Sequence, residues 1–381
     1  MAVQNPFKIH IPEEDINDLK KRLVNIRWGS VSSHDWDSGT PSRFLKPLMD
    51  YWEDGYDWRE QERLINQYPQ YMTEIEGHNI HYFYIKGKGS SSVPLILTHG
   101  WPDSFMRYIK LIPYLNDPER YGGRAQDSFD LIIPSLSGFG FSSCAGGKSL
   151  NNAQIAHIWF KLMTNTLGYH SFFAHGGDIG SGVTRYLAQY YPEHLRAIHV
   201  VDVGIIRDLL TSQSLDSLTA EQQNYKKEAS NWMMKEGGYM SIQATKPQTL
   251  SFGLNNSPVG LAAWIVEKFN SWGNQKTDLF ERFQRDDILT NIALYWFTQT
   301  IGSSVAVYRA NTTTLPSHIP PKTPIGVSCF KDDILLPPRD WVSEKYNLCY
   351  WSELQMGGHF AAMEYPEKYA NELKTFFRKF R

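Results

Sequence analysis

Gly176-Gly177-Asp178-Ile179-Gly180 sets one carboxylate in a run of glycines. Ser171-Phe172-Phe173-Ala174 before it reads as a strand. Ser181 to Tyr191 after it, with Val183, Tyr186 and Leu187 at helical spacing, reads as a helix. A strand turning sharply into a helix needs small residues two positions either side of the turn, which Gly176 and Gly180 supply. A carboxylate needs no deprotonation to attack at neutral pH, and it suits displacement at a saturated carbon. An Asp among glycines also serves ordinary turns and helix N-caps, so the pentapeptide takes its meaning from what accompanies it.

Three other segments keep it company. Of the 12 histidines, His359 alone lies near the C-terminus, in the loop Gly357-Gly358-His359-Phe360 ahead of the final helix. A loop His after the last strand can reach the Asp178 turn and act as a base. Phe330-Lys331-Asp332-Asp333-Ile334 offers two carboxylates that could orient an imidazole, and position alone does not choose between Asp332 and Asp333. His99-Gly100-Trp101-Pro102 follows an apolar run directly, in the place where hydrolases with such a turn carry the second oxyanion element, and that resemblance implies that the backbone N–H groups of Trp101 and Ile179 point at a developing oxyanion. His99 and His175 flank these residues and read as structural.

The elements that must position these groups alternate. Leu95 to Thr98 and Asp130 to Pro134 read as strands, Asn151 to Leu167 as a helix, and Ala197 to Val201 as a strand after the Asp178 helix. The pattern resumes at Pro324 to Ser328 and Leu348 to Trp351, and closes with a helix from Pro366. Such alternation predicts a mostly parallel sheet flanked by helices, an α/β class. It is interrupted from about Gly204 to about Leu315 by a mainly helical segment, placed to cover the sheet's C-terminal edge as a lid. The first ninety or so residues are polar and Trp-rich. Helices are predicted from Ile11 to Leu23 and from Phe44 to Trp52, with part of a third over Gln61 to Asn66 and an edge or early strand over His81 to Lys86. The expected organisation is an extension over 1–92, a core over 93–204 and 316–381, and a lid over 205–315.

At 381 residues with 41% hydrophobic content, one large core with appended parts is expected. A net charge of −2 offers no general attraction to nucleic acid or an anionic membrane. The three cysteines are scattered, without disulfide or metal-ligand spacing, so no metal is expected and a reducing, cytoplasmic location is. No run has the apolar length of a bilayer span, and the N-terminus lacks a signal-peptide pattern, so stable membrane insertion is not expected.

The Asp178 turn has the layout of the nucleophile elbow of an α/β-hydrolase, with Asp where most carry Ser, and the order nucleophile, acid, histidine is that of the fold. More specifically, the chain resembles the microsomal and fungal branch of the epoxide hydrolases, the branch that includes juvenile-hormone epoxide hydrolases. The matching segments are Phe7 to Trp28, Asp54 to Arg59, His99 to Ser104, Gly138 to Ser142, Gly176 to Ser181 and Gly357 to Ala362. The resemblance implies an α/β-hydrolase fold with an N-terminal epoxide-hydrolase region, a small-molecule epoxide as substrate, no cofactor, and a homodimer. It selects Asp333, three residues beyond Phe330, over Asp332. It also implies two lid tyrosines that hold the epoxide oxygen, Tyr239 before Thr245-Lys246-Pro247 and Tyr308 after Tyr295-Trp296, and a cis Trp101-Pro102 bond. Tyr225 and Tyr295 are the next candidates for the tyrosines. Ile179 departs from the Trp of many relatives but matches fungal-type ones, and Val200-Val201-Asp202 stands where relatives often show Leu-Asn. A membrane anchor like that of microsomal members is not expected. The competing readings are a haloalkane dehalogenase, which also uses an Asp elbow, and a catalytically silent binding protein of the same fold.

Overall fold

The structure, a computed structural model, describes residues 4–29, 35–203, 218–313 and 322–381. The lid bounds expected near Gly204 and Leu315 lie outside the described residues. The strands are β1 (Asn5–Phe7), β2 (Gln70–Ile75), β3 (His78–Ile85), β4 (Val93–Thr98), β5 (Phe129–Pro134), β6 (Phe172–Gly176), β7 (Leu195–Val200), β8 (Ile325–Asp332) and β9 (Leu348–Gly358). They form one sheet in the order β1-β2-β3-β5-β4-β6-β7-β8-β9. From β5 to β9 along this order all pairs are parallel, whereas β1, β2 and β3 add an antiparallel flank. The central strands β4, β5 and β6 are almost wholly buried, as runs such as Leu95-Ile96-Leu97 demand of a sheet covered on both faces.

Among the described residues, the helices of eight residues or more are α1 (Glu13–Val24), α2 (Ser42–Asp54), α3 (Trp58–Ile65), α4 (Asn152–Lys161), α5 (Ile179–Tyr190), α6 (Ala220–Glu236), α7 (Gly238–Thr245), α8 (Pro247–Asn256), α9 (Pro258–Ser271), α10 (Arg285–Thr298), α11 (Ile301–Thr313) and α12 (Pro366–Phe377). Their limits follow from local chemistry. In α1, Glu13, Glu14 and Asp15 face the positive end of the helix dipole, and Ile16, Leu19 and Leu23 form the buried stripe. Asn151 and Gln154 make a capping box that starts α4.

Two expectations need correction. The helix read as continuous from Asn151 to Leu167 is α-helical only to Lys161. Leu162–Thr166 then widens into a π turn, which periodicity cannot distinguish from more helix. The strand read as an edge or early one over His81 to Lys86 is early but interior, because β2 and β5 pair with it on both sides. β1 and β2 had no strong sequence signal, and β8 and β9 run further than the apolar runs alone marked.

Helices α6 to α11 lie in the chain between β7 and β8. They dock over the ends of the parallel strands through specific bonds. Asn291 Nδ2 donates to the Pro102 carbonyl (2.8 Å), Tyr295 Oη donates to the Asp103 carbonyl (2.6 Å), and His359 N–H donates to the Trp272 carbonyl (2.8 Å). The N-terminal helices hold the outer side of this layer: Tyr51 Oη donates to Asp286 (2.8 Å), and Tyr56 Oη lies 3.0 Å from Thr290 Oγ1. Among the described residues, no helix is long and apolar enough to cross a membrane.

Candidate active site

The site is assembled at the C-terminal ends of four parallel strands. Register does the first part of the work. Thr98 pairs with Gly176, and Asp332 with Gly358, so the segments leaving β4 and β6 emerge side by side, as do those leaving β8 and β9. In an open α/β sheet this is the edge where ligands bind.

Asp178 sits between β6 and α5 with φ 55° and ψ −126°, a conformation that an L residue with a Cβ adopts only under constraint. The constraint is packing. A Cβ on Gly176 would strike the Gly180 backbone, and one on Gly180 would strike the Thr98 carbonyl, so both glycines let the turn press against β4. Ser181 Oγ ties the turn down by donating to the Gly176 carbonyl (2.8 Å).

The loop after β4 supplies the first partner of the carboxylate. Trp101 N–H donates to Asp178 Oδ1 (2.8 Å), and the Trp101-Pro102 bond is cis, as expected. Gly100 permits the approach, since a Cβ there would run into the Asp178 carboxylate. Ile179 opens α5, where a first-turn N–H has no partner within the helix, and it makes no hydrogen bond to the carboxylate.

His359 approaches from the other side and is 3% exposed. Its Nε2 is 3.6 Å from Asp178 Oδ2, and its Nδ1 is 3.0 Å from Asp333 Oδ1. Burial alone would push the imidazole's pKa down. The Asp333 charge and the contacts with Asp178 and Asp333 outweigh that, and lift it to about 9. Asp332 is the last residue of β8 and Asp333 the first beyond it. It is Asp333 that meets the ring.

Tyr239 on α7 and Tyr308 on α11 come together above Trp101. The Tyr239 ring stacks on Trp101 at 5.5 Å between centroids, and Tyr308 stands edge-on to both, 6.0 Å from Trp101 and 5.9 Å from Tyr239. Burial and the nearby Asp178 charge raise both phenols well above 10, so they stay protonated donors at neutral pH. The alternatives are committed elsewhere: Tyr295 Oη to the Asp103 carbonyl, and Tyr225 against the Trp341 ring. His99 and His175 are buried and hydrogen-bonded on both ring nitrogens, as structural histidines are. His99 meets Gly100 O and Leu136 N, and His175 meets His199 O and Tyr369 Oη.

Sequence reasoning missed the supports. Arg107 pairs with buried Asp103 and donates to the His359 carbonyl (3.0 Å), linking the Trp101 loop to the histidine loop. Burial opposes charge on Asp103, but Arg107, His99 and the Gly100 N–H hold its carboxyl down at about 2. The i,i+4 spacing of Asp103 and Arg107 was the available signal. Trp272, whose carbonyl receives the His359 N–H, and Glu364, which accepts from Gly358 N–H (2.7 Å), carried none.

A twisted, mostly parallel sheet with a strand-to-helix turn bearing a carboxylate beside a loop histidine defines a protein of the α/β-hydrolase fold. Residues 93–233 match the family described as alpha/beta hydrolase fold, and residues 4–108 match the family described as Epoxide hydrolase N terminus. Epoxide hydrolase 1 of Sus scrofa is 36% identical over 97% of this chain and 88% of its own length. The crystal structure of juvenile hormone epoxide hydrolase from Bombyx mori superposes with a TM-score of 0.86 at 30% identity, covering 100% of this chain and 95% of that one. The structure of the Aspergillus niger epoxide hydrolase gives the same TM-score at 29% identity, covering 100% and 97%. The chain belongs to the epoxide hydrolases and is an enzyme of that class.

Proposed function

We propose that the enzyme opens a small-molecule epoxide to a vicinal diol through an ester formed on Asp178. Asp178 Oδ1 already rests on the Trp101 N–H, whereas Oδ2 faces the His359 ring. Oδ2 therefore attacks an epoxide carbon and the C–O bond breaks. Tyr239 and Tyr308 donate to the departing oxygen, a poor leaving group, which takes a phenol proton that the His359 imidazolium replaces, leaving a neutral imidazole. Oδ1 becomes the ester carbonyl oxygen. His359, oriented by Asp333, then takes a proton from water, and the resulting hydroxide attacks the ester carbon. Negative charge passes to Oδ1, where the N–H groups of Trp101 and Ile179 receive it. Collapse releases the diol, whose second oxygen takes the proton from His359, and the proton left on the Asp178 carboxyl passes to the imidazole, restoring the carboxylate and the imidazolium.

The observation that carries this reading is that one carboxylate has its two oxygens divided, one on a backbone donor and the other facing, at 3.6 Å, a histidine with its own acid. A haloalkane dehalogenase would need a halide-binding donor beside the nucleophile, where Ile179 offers an alkyl chain. A single turnover in ¹⁸O-water tests the proposal. It should give unlabelled diol and leave the label in Asp178, and labelled diol in that turnover would mean direct attack by water. Halide release from a bromoalkane, with no diol from an aryl epoxide, would favour the dehalogenase.

A further inference from the structure

Gln243 is 0% exposed, and neither its Nε2 nor its Oε1 has a hydrogen-bond partner among the described residues. A primary amide is among the costlier neutral groups to bury unpaired, so Gln243 is placed to pair with a group that the described residues do not supply. Its place on the fold says what those partners accompany. Tyr239 and Gln243 are the two buried residues of α7. Four residues apart, they share one face of the helix, with Gln243 about 6 Å further along the axis. That face puts the Tyr239 ring against Trp101 and Tyr308. α11 flanks α7 on either side of Gln243, with Tyr308 packed against Tyr239 and Arg309 Nη1 donating to the Thr245 carbonyl (3.2 Å).

We propose that Gln243 is a specificity residue whose amide hydrogen-bonds a neutral oxygen-bearing group of the substrate, a hydroxyl or carbonyl lying one helical turn beyond the epoxide oxygen. The proposal rests on the role given above to Tyr239 and Tyr308. An amide both donates and accepts without charge, so it matches a hydroxyl or a carbonyl. The favoured substrate class is thus an epoxide with a polar substituent a few bonds from the ring, not a plain hydrocarbon epoxide.

The test uses terminal epoxides of increasing chain length, each ending in a hydroxyl, against counterparts with a methyl in its place. At one chain length or two adjacent ones, the wild-type protein should favour the hydroxyl member in kcat/KM by on the order of 10-fold, because the apolar member leaves the amide unpaired. Gln243→Leu should shift that ratio toward the methyl member by on the order of 10²-fold. Gln243→Met, close in length and volume, should do the same should the Leu variant fold poorly. The proposal is overturned by a wild type that favours the methyl member at every length, or by a hydroxyl preference that both variants retain. A wild type that hydrolyses neither series and forms no adduct at Asp178 overturns the epoxide-opening mechanism itself, an outcome distinct from an active enzyme indifferent to the hydroxyl.

Discussion

His359 and Asp178 face each other with Nε2 3.6 Å from Oδ2, while the other nitrogen of the ring lies 3.0 Å from Asp333. The imidazole is thus held between two carboxylates, and its pKa stands at about 9. In the resting enzyme it is therefore an imidazolium at neutral pH. Ester formation on Asp178 would weaken one of the contacts that raise it and so ease loss of that proton, readying His359 as the base for the second half-reaction.

Removing that base should divide the reaction in two. In His359→Gln, epoxide opening should continue while ester hydrolysis falls by on the order of 10³-fold, the range of a general base. Intact-mass spectrometry should then show the protein gaining the mass of one substrate. A protein free of adduct after prolonged incubation with an accepted epoxide would argue that His359 is not the base.

The raised pKa also has a stability signature. A folded-state value of about 9 against an ordinary 6.5 means the native protein holds this proton more tightly than the unfolded chain does. The stabilisation is complete below pH 6.5 and disappears as the pH rises through about 9. It amounts to roughly 3 kcal/mol at 1.36 kcal/mol for each tenfold change in proton affinity. Urea unfolding at about pH 6 and about pH 10 should show the wild type losing that much relative to His359→Gln. Parallel losses in the two proteins would refute it.

Asp333 and Asp332 should respond differently. Asp333→Asn removes a charge that supports the ring and should slow hydrolysis by on the order of 10²- to 10⁴-fold, the upper end being the cost of a misoriented tautomer. The pH at which the residual hydrolysis reaches half its maximum should move down. Asp332→Asn should change the rate by less than about 10-fold. Equal effects from the two variants, measured by stopped-flow decay of the ester, would contradict the assignment to Asp333.

On the proposed mechanism, replacing one phenol would leave the developing alkoxide a single donor. Tyr239→Phe and Tyr308→Phe should each slow ester formation by on the order of 10²-fold, by comparison with the loss of one oxyanion donor. The double variant should nearly abolish epoxide opening with its circular dichroism unchanged, because the rings that pack on Trp101 remain. Normal turnover by the double variant would move the oxygen-binding role to another part of the helical layer.

What the sequence determined by itself was local. The turn at Asp178, the Trp101 loop, the His359 loop and the alternation of strands and helices are written in short runs, because glycine placement and apolar periodicity act over a few residues. Resemblance added Tyr239, Tyr308 and the choice of Asp333, which spacing left open. Only the tertiary structure decided the rest. Asp333 meets the imidazole and Asp332 does not, because β8 ends at Asp332, in register with Gly358, just before the chain turns. Tyr295 is engaged with Asp103, a pairing between residues 192 positions apart that no window of sequence contains. Arg107 spans 252 positions to reach His359. Gln243 reads as an ordinary helix residue until packing buries it without a partner among the described residues. Such contacts arise when distant segments are brought together by burial of the common core, and their energies depend on geometry that periodicity does not encode.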